Sequence, residues 1–286
     1  MGRQGRFPTP TWAREVVDKY QSGVAHAFIL HFNVYDYAVP GASVTAYLAQ
    51  MLANRQVVVI YSRDRGITFP LDTMRERFLE LLGLGADAQQ ADDPALSALQ
   101  ALGMAPAGAA GQDLPRAPGD ALPLLGRLLR MGSPEEKLAA VIIEAAETVV
   151  PDADVAMMSP ADRDVLVAVS RWGRDPQIAA SGNLVFLVTP SLASLNAAVR
   201  AASSKWEAVK VPLPDPEQRL AFIEWYIAQR PDAFEWADGL GLQALANVTA
   251  GLSLIHIEDI LLRAEAEGVL RPDMVRDRKE LSLIHI

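Results

Sequence analysis

The residue types that most often carry chemistry are thinly spread in this sequence of 286 residues. It contains no cysteine, which excludes disulfide frameworks, thiolate metal sites and cysteine nucleophiles, and makes a reducing cytoplasm the natural setting. His26 and His31 share an apolar run at odd spacing, so a strand there points them to opposite faces and cannot make them a compact ligand pair. Asp152, Asp154, Asp162 and Asp164 lie in PDADVAMMSPADRD, which lacks the glycine and closing glutamate of a calcium loop. A solvated acidic loop with Ser159 or Asp162 capping a helix is the better reading. No Gly-x-Ser-x-Gly elbow is present to support a hydrolase triad. A phosphate-cradling loop of the form GxxxxGK followed by Ser or Thr is also missing. The lysines are Lys19, Lys137, Lys205, Lys210 and Lys279, and none follows a glycine.

The elements that would position a site are easier to read. Half of the residues are hydrophobic, enough for a large α/β domain and a smaller helical one. Five runs rich in β-branched and aromatic residues read as strands: Val24 to Phe32, Gln56 to Arg63, Leu138 to Glu144, Asn183 to Thr189 and Ala208 to Leu213. Helical spacing of apolar residues over Thr11 to Ser22, Ser43 to Ala53 and Leu71 to Leu82 fills the gaps between strands. That alternation predicts a doubly wound, five-stranded parallel sheet. Residues 84–120 turn to Ala, Gly, Pro, Asp and Gln and read as a flexible insertion, with a short helix at Pro94 to Leu102 and order resuming at Ala121 to Met131. From residue 214 to 270 the pattern is helical with no convincing strand, which predicts a lid after an α/β domain of residues 1–213.

The stretch NLVFLVTPSLASLNAAVRAASSKWEAVKVPLPDPEQRLAFIEWYI resembles AAA+ ATPases between their sensor-1 strand and their helical lid. The resemblance places Thr189 at the sensor-1 position, Arg200 in the downstream helix, and Val209 to Pro214 followed by Asp215, Glu217, Gln218 and Arg219 at the lid entry. Thr249, Ala250 and Gly251 match the turn before a later lid helix. LAAVIIEAAE falls at the Walker B position, with Glu144 where the magnesium-associated Asp is expected and Glu147 further along. Ala145 replaces the catalytic Glu, and alanine cannot act as a general base. Where Walker A belongs, after the first strand, the chain reads Asn33, Val34, Tyr35, Asp36, Tyr37, and Asp36 would repel phosphate. Within the cluster Arg163, Arg171 and Arg174, the resemblance makes Arg171 and Arg174 candidate arginine fingers; the alternative is a solvated helix end. No catalytic residue and no metal ligand is assigned to the chain itself.

Leu281 to Ile286 repeat Leu252 to Ile257 letter for letter as LSLIHI, which is also the translation of a transposon-end adapter used in sequencing libraries. The terminal copy is therefore expected to be adapter-derived, with 271–280 the start of a linker to a second module that carries ATP and Mg²⁺. The resemblance implies a noncatalytic AAA+-like module assembling or regulating a larger ATP-driven remodelling ATPase, as a homo-oligomer acting on a protein substrate. A weakly active single-module ATPase and a nucleotide-independent interaction scaffold remain as alternatives. The net charge of -9 with scattered basic residues disfavours nucleic acid as a partner, and no apolar run is long enough to span a bilayer.

Overall fold

The computed structural model describes residues 7–84, 114–237 and 239–284, with side chains to residue 281. Of the expected insertion at 84–120, residues 85–113 lie outside the described residues, as does the short helix expected at 94–102. The first half of the described chain runs α1 (Thr11–Gln21), β1 (Ala27–Phe32), β2 (Tyr37–Val39), β3 (Ala42–Ser43), α2 (Val44–Met51), β4 (Val57–Ser62), β5 (Gly66–Thr68), α3 (Asp72–Leu82) and α4 (Pro118–Leu129). Then come β6 (Ala139–Ile143), α5 (Pro160–Trp172), α6 (Pro176–Ser181), β7 (Leu184–Thr189), α7 (Ala197–Arg200) and β8 (Glu207–Val211). The remainder is α8 (Pro216–Gln229), β9 (Glu235–Trp236), α9 (Leu242–Val248), α10 (Leu254–Glu267), β10 (Val269–Leu270) and α11 (Pro272–Ile284). No helix among the described residues is long and apolar enough to cross a membrane.

The chain divides into two compact units, each with its own core. Residues 18–31 and 49–209 form the sheet unit. The strand order is β5-β4-β6-β7-β1-β8, with β4, β6, β7 and β1 paired in parallel. Every residue of β6 and of β7 is buried, which explains why both read as unbroken apolar runs rather than as alternating patterns. All five expected strands are present. A sixth, β5, adds an antiparallel edge through a tight return from β4, pairing Ile60 with Thr68 and Ser62 with Gly66. Helix α4 packs on β6 and touches both α3 and α5, closing a core that includes Phe78, Leu122, Leu125, Val169 and Trp172. Two buried polar side chains brace the amino ends of the strands. Asn183 Oδ1 accepts the Ala139 N–H at 2.8 Å while its Nδ2 donates to Met131 O at 2.8 Å. Arg55, only 5 % exposed, donates to the carbonyls of Ala139 and Gly182, each at 3.0 Å.

The other unit comprises residues 7–17, 32–48 and 210–284 of the described chain. Its core gathers Phe222, Ile223 and Tyr226 of α8, Leu245 of α9, and Leu254, Ile257, Ile260 and Leu261 of α10. Asp215 opens α8 with a capping box: its carboxylate accepts Gln218 N–H while the Gln218 side chain accepts Asp215 N–H. Arg219 is buried there, donating to Ala246 O at 2.9 Å and Pro214 O at 2.7 Å, and burial lowers its pKa. Two features depart from the sequence reading of this region. Glu235–Trp236 and Val269–Leu270 make a short parallel ribbon where no strand was expected. Residues 271–280, expected to begin a linker, lie almost wholly in α11, because Met274 and Val275 are buried in the core of the unit.

Candidate functional site

In doubly wound sheets ligands bind outside the carboxyl ends of the strands, where neighbouring connections diverge. In the sheet unit those ends carry two of the candidate residues. Glu144 follows β6 directly, and its N–H donates to Tyr61 O at 2.8 Å, continuing the ladder one residue beyond the strand. The chain then turns through Ala145 in the left-handed region, at φ 46°, into a short 3₁₀ turn that contains Glu147. The Glu144 carboxylate forms an ion pair with Arg65, which belongs to the return between β4 and β5. Its side chain is 24 % exposed and that of Arg65 57 %, so this is a solvent-screened pair. Thr189 ends β7 beside His31 of β1. Its side chain is fully buried and Oγ1 donates to Ser191 O at 3.1 Å, which spends the hydroxyl on a local turn.

Arg171 lies in the last turn of α5 and Arg174 just after it; both are exposed, and neither has an ion-pair partner among the described residues. Arg163 instead donates twice to Met158 O, and Arg200 donates to Leu195 O and pairs with Asp152 at 3.2 Å. The acidic stretch is a capped loop: Ser159 Oγ accepts Asp162 N–H, and Asp154 accepts Ala156 N–H. Among the described residues no group of three or more His, Asp or Glu could hold a metal ion. His26 is held by Trp172 O at 2.9 Å, and the indole of Trp206 donates to Val169 O at 3.2 Å, both packing roles.

The second locus lies within the other unit, in the loop that follows β1. There the chain makes a small antiparallel hairpin of β2 and β3, turned by Gly41 at φ 75°, before α2 begins. Asp36 is 3 % exposed and both of its carboxylate oxygens are used. Oδ1 accepts Tyr37 N–H at 2.9 Å and Ile255 N–H at 3.0 Å. Oδ2 accepts Leu254 N–H at 2.9 Å and Asn33 Nδ2 at 2.8 Å. Leu254 and Ile255 are the first two residues of α10, and Ser253 Oγ accepts the third N–H, that of His256, at 3.2 Å. A helix amino terminus is a ready anion site, with orphan N–H groups and the positive end of the helix dipole. Here the anion is the chain's own carboxylate.

The residues around Asp36 reinforce that closure. Tyr37 O–H donates to Glu258 at 2.8 Å, and this hydrogen bond, with burial, raises the phenol pKa above 10.0. Its ring stacks on Phe222 with centroids 6.2 Å apart. Beside Asp36, Asn33, Tyr37, Val211, Gln218 and Leu254 border a cavity of about 20 Å³. That is room for about one water, whereas small-molecule sites measure roughly 300–1,000 Å³.

Residues 4–212 match the family model described as AAA+ chaperone, N-terminal Rossmann-like domain, and residues 217–284 match AAA+ chaperone, second helical domain. The chain belongs to the AAA+ chaperone family. No curated protein matches the sequence. For this AAA+ chain the sequence brought out the acidic character of Asp36 but not its role, because its partners lie 218 and 219 positions away and leave no local pattern. Arg65 was missed for a similar reason: it meets Glu144 only through the pairing of β4 with β6. The one sequence signal for the cap is Ser253 opening an apolar helical run at Leu254.

Proposed function

We propose that this AAA+ module is noncatalytic and serves a larger ATP-driven remodelling ATPase through assembly or regulation. The observation that carries the reading is the Asp36 network. In the loop at the Walker A position, four donors converge on a buried carboxylate where a phosphate-binding loop would instead present free backbone N–H groups and a lysine. The Walker B position supports the same conclusion. Ala145 stands where the water-polarising carboxylate is expected, and Glu144 is engaged by Arg65. The buried hydroxyl of Thr189 adds to it, since a sensor must reach its phosphate.

In this reading the module contributes surface rather than hydrolysis. Membership in the AAA+ chaperone family favours oligomeric assembly, and the exposed Arg171 and Arg174 are the groups it would extend toward a neighbour's nucleotide. ATP and Mg²⁺ then belong to a competent module, and a polypeptide is the substrate class. The test is turnover. The chain alone with Mg-ATP is expected to release phosphate no faster than buffer, with Glu144→Gln and Thr189→Ala indistinguishable from the parent. A magnesium-dependent rate that both substitutions abolish would establish the opposite reading, an active single module.

A further inference from the structure

In the helical unit, α9 and α11 leave a groove of about 450 Å³ lined chiefly by Leu240, Ala244, Val248, Pro272 and Val275. Val248, at the end of α9, is 45 % exposed, so apolar surface that could be covered is left in water. Arg276 and Lys279 border the same groove, three residues apart and therefore on one face of α11, with Glu280 beside them.

The charge pattern of the unit singles out these two cations. Arg230 pairs with Glu265, Arg263 with Glu267 and Asp277, Arg271 with Glu267 and Asp273, and Arg278 with Asp259. Buried Arg219 is taken up by backbone carbonyls. Arg276 and Lys279 alone among the cations of residues 214–284 have no partner among the described residues, and both sit at the apolar groove.

We propose that this groove docks an acidic, leucine-bearing helical segment of a partner polypeptide. Its leucines would fill the space between α9 and α11, and its carboxylates would meet Arg276 and Lys279. An apolar face laid into a groove between helices, with flanking charges fixing its direction, is a standard mode of helix recognition. Two cations with Glu280 alongside are too few for a phosphate-tracking surface, and they fall short of the four to eight basic residues of a polybasic lipid-binding cluster.

The probe is a synthetic helix of about 15 residues with leucines at i, i+3, i+4 and i+7 and glutamates on its flanks, alongside the same peptide with lysines replacing the glutamates. Calorimetry should show saturable binding of the glutamate peptide, and the lysine peptide should bind roughly tenfold more weakly. Val248→Asp is expected to abolish binding while leaving the melting temperature near that of the parent, because the side chain is exposed. Replacing Arg276 and Lys279 together by Glu should reverse the peptide preference, a readout that a merely structural loss cannot produce. Three outcomes overturn the proposal: no binding, equal binding of the two peptides, or binding that survives Val248→Asp. None of them depends on nucleotide, so failure here is separate from failure of the noncatalytic reading.

Discussion

Two carboxylates occupy positions tied by family resemblance to nucleotide chemistry, and they are used in opposite ways. Asp36 is almost wholly buried and accepts four hydrogen bonds, two of them from the opening turn of α10. Glu144 is partly exposed and held by one side chain, Arg65, that is more exposed still. A charge taken out of water and fully satisfied by donors becomes part of the fold, whereas a screened surface pair contributes little. The acid that a phosphate loop would exclude is thus the more deeply buried and more fully bonded of the two, and the other is held in a screened pair at the surface.

The largest expected effect follows from removing the first of these. Asp36→Ala orphans the N–H groups of Leu254 and Ile255 and should destabilise the helical unit by about 2–4 kcal/mol in urea unfolding. Asp36→Asn should recover part of that, since one amide oxygen can still accept. A loss below about 0.5 kcal/mol for the alanine variant would collapse the contrast between the two acids.

Next in size is Tyr37→Phe, which removes the donor to Glu258 and should cost about 1 kcal/mol. The folded phenol titrates above its ordinary value of 10.0, so its stabilising contribution is complete below pH 10 and is lost as pH rises toward the folded pKa. Unfolding followed from pH 8 to 11 should therefore show a steeper alkaline decline for the parent than for the phenylalanine variant.

Glu144→Ala sharpens the comparison from the other side. Its effect on unfolding free energy should stay within about 1 kcal/mol, as for other screened ion pairs. A larger loss would make Glu144 a structural acid like Asp36.

The smallest effect concerns His256, whose N–H is held by Ser253 in the same turn of α10. Burial first, then the charge of Arg278, lowers its pKa below 6.5, with Asp259 and Asp36 opposing. The unfolded chain then binds the proton more readily, so stability is full above pH 6.5 and declines as pH falls from there toward the folded pKa. Melting temperatures between pH 7.5 and 5.5 should fall less for His256→Asn than for the parent.

The uneven legibility of the sequence has a physical cause. Strands such as VVVIYS and LVFLVT are buried on both faces, so composition alone marks them. β5 has three residues at a sheet edge and depends on its pairing with β4, which no local pattern reveals. α11 reads as a polar linker because Arg276, Asp277, Arg278, Lys279 and Glu280 outweigh its buried anchors, Met274 and Val275. That none of the five lysines follows a glycine is plain from the sequence. The Asp36 network is not, since it joins residues more than 200 positions apart.

The backbone N–H groups of Leu254 and Ile255 report on that network most directly, through hydrogen exchange measured with and without Mg-ATP. Both amides are expected to be strongly protected in the free chain, unchanged by nucleotide, and exposed by Asp36→Ala. Rapid exchange in the free chain that slows on adding Mg-ATP would mean that the amino terminus of α10 awaits a phosphate, and would contradict the account at its centre.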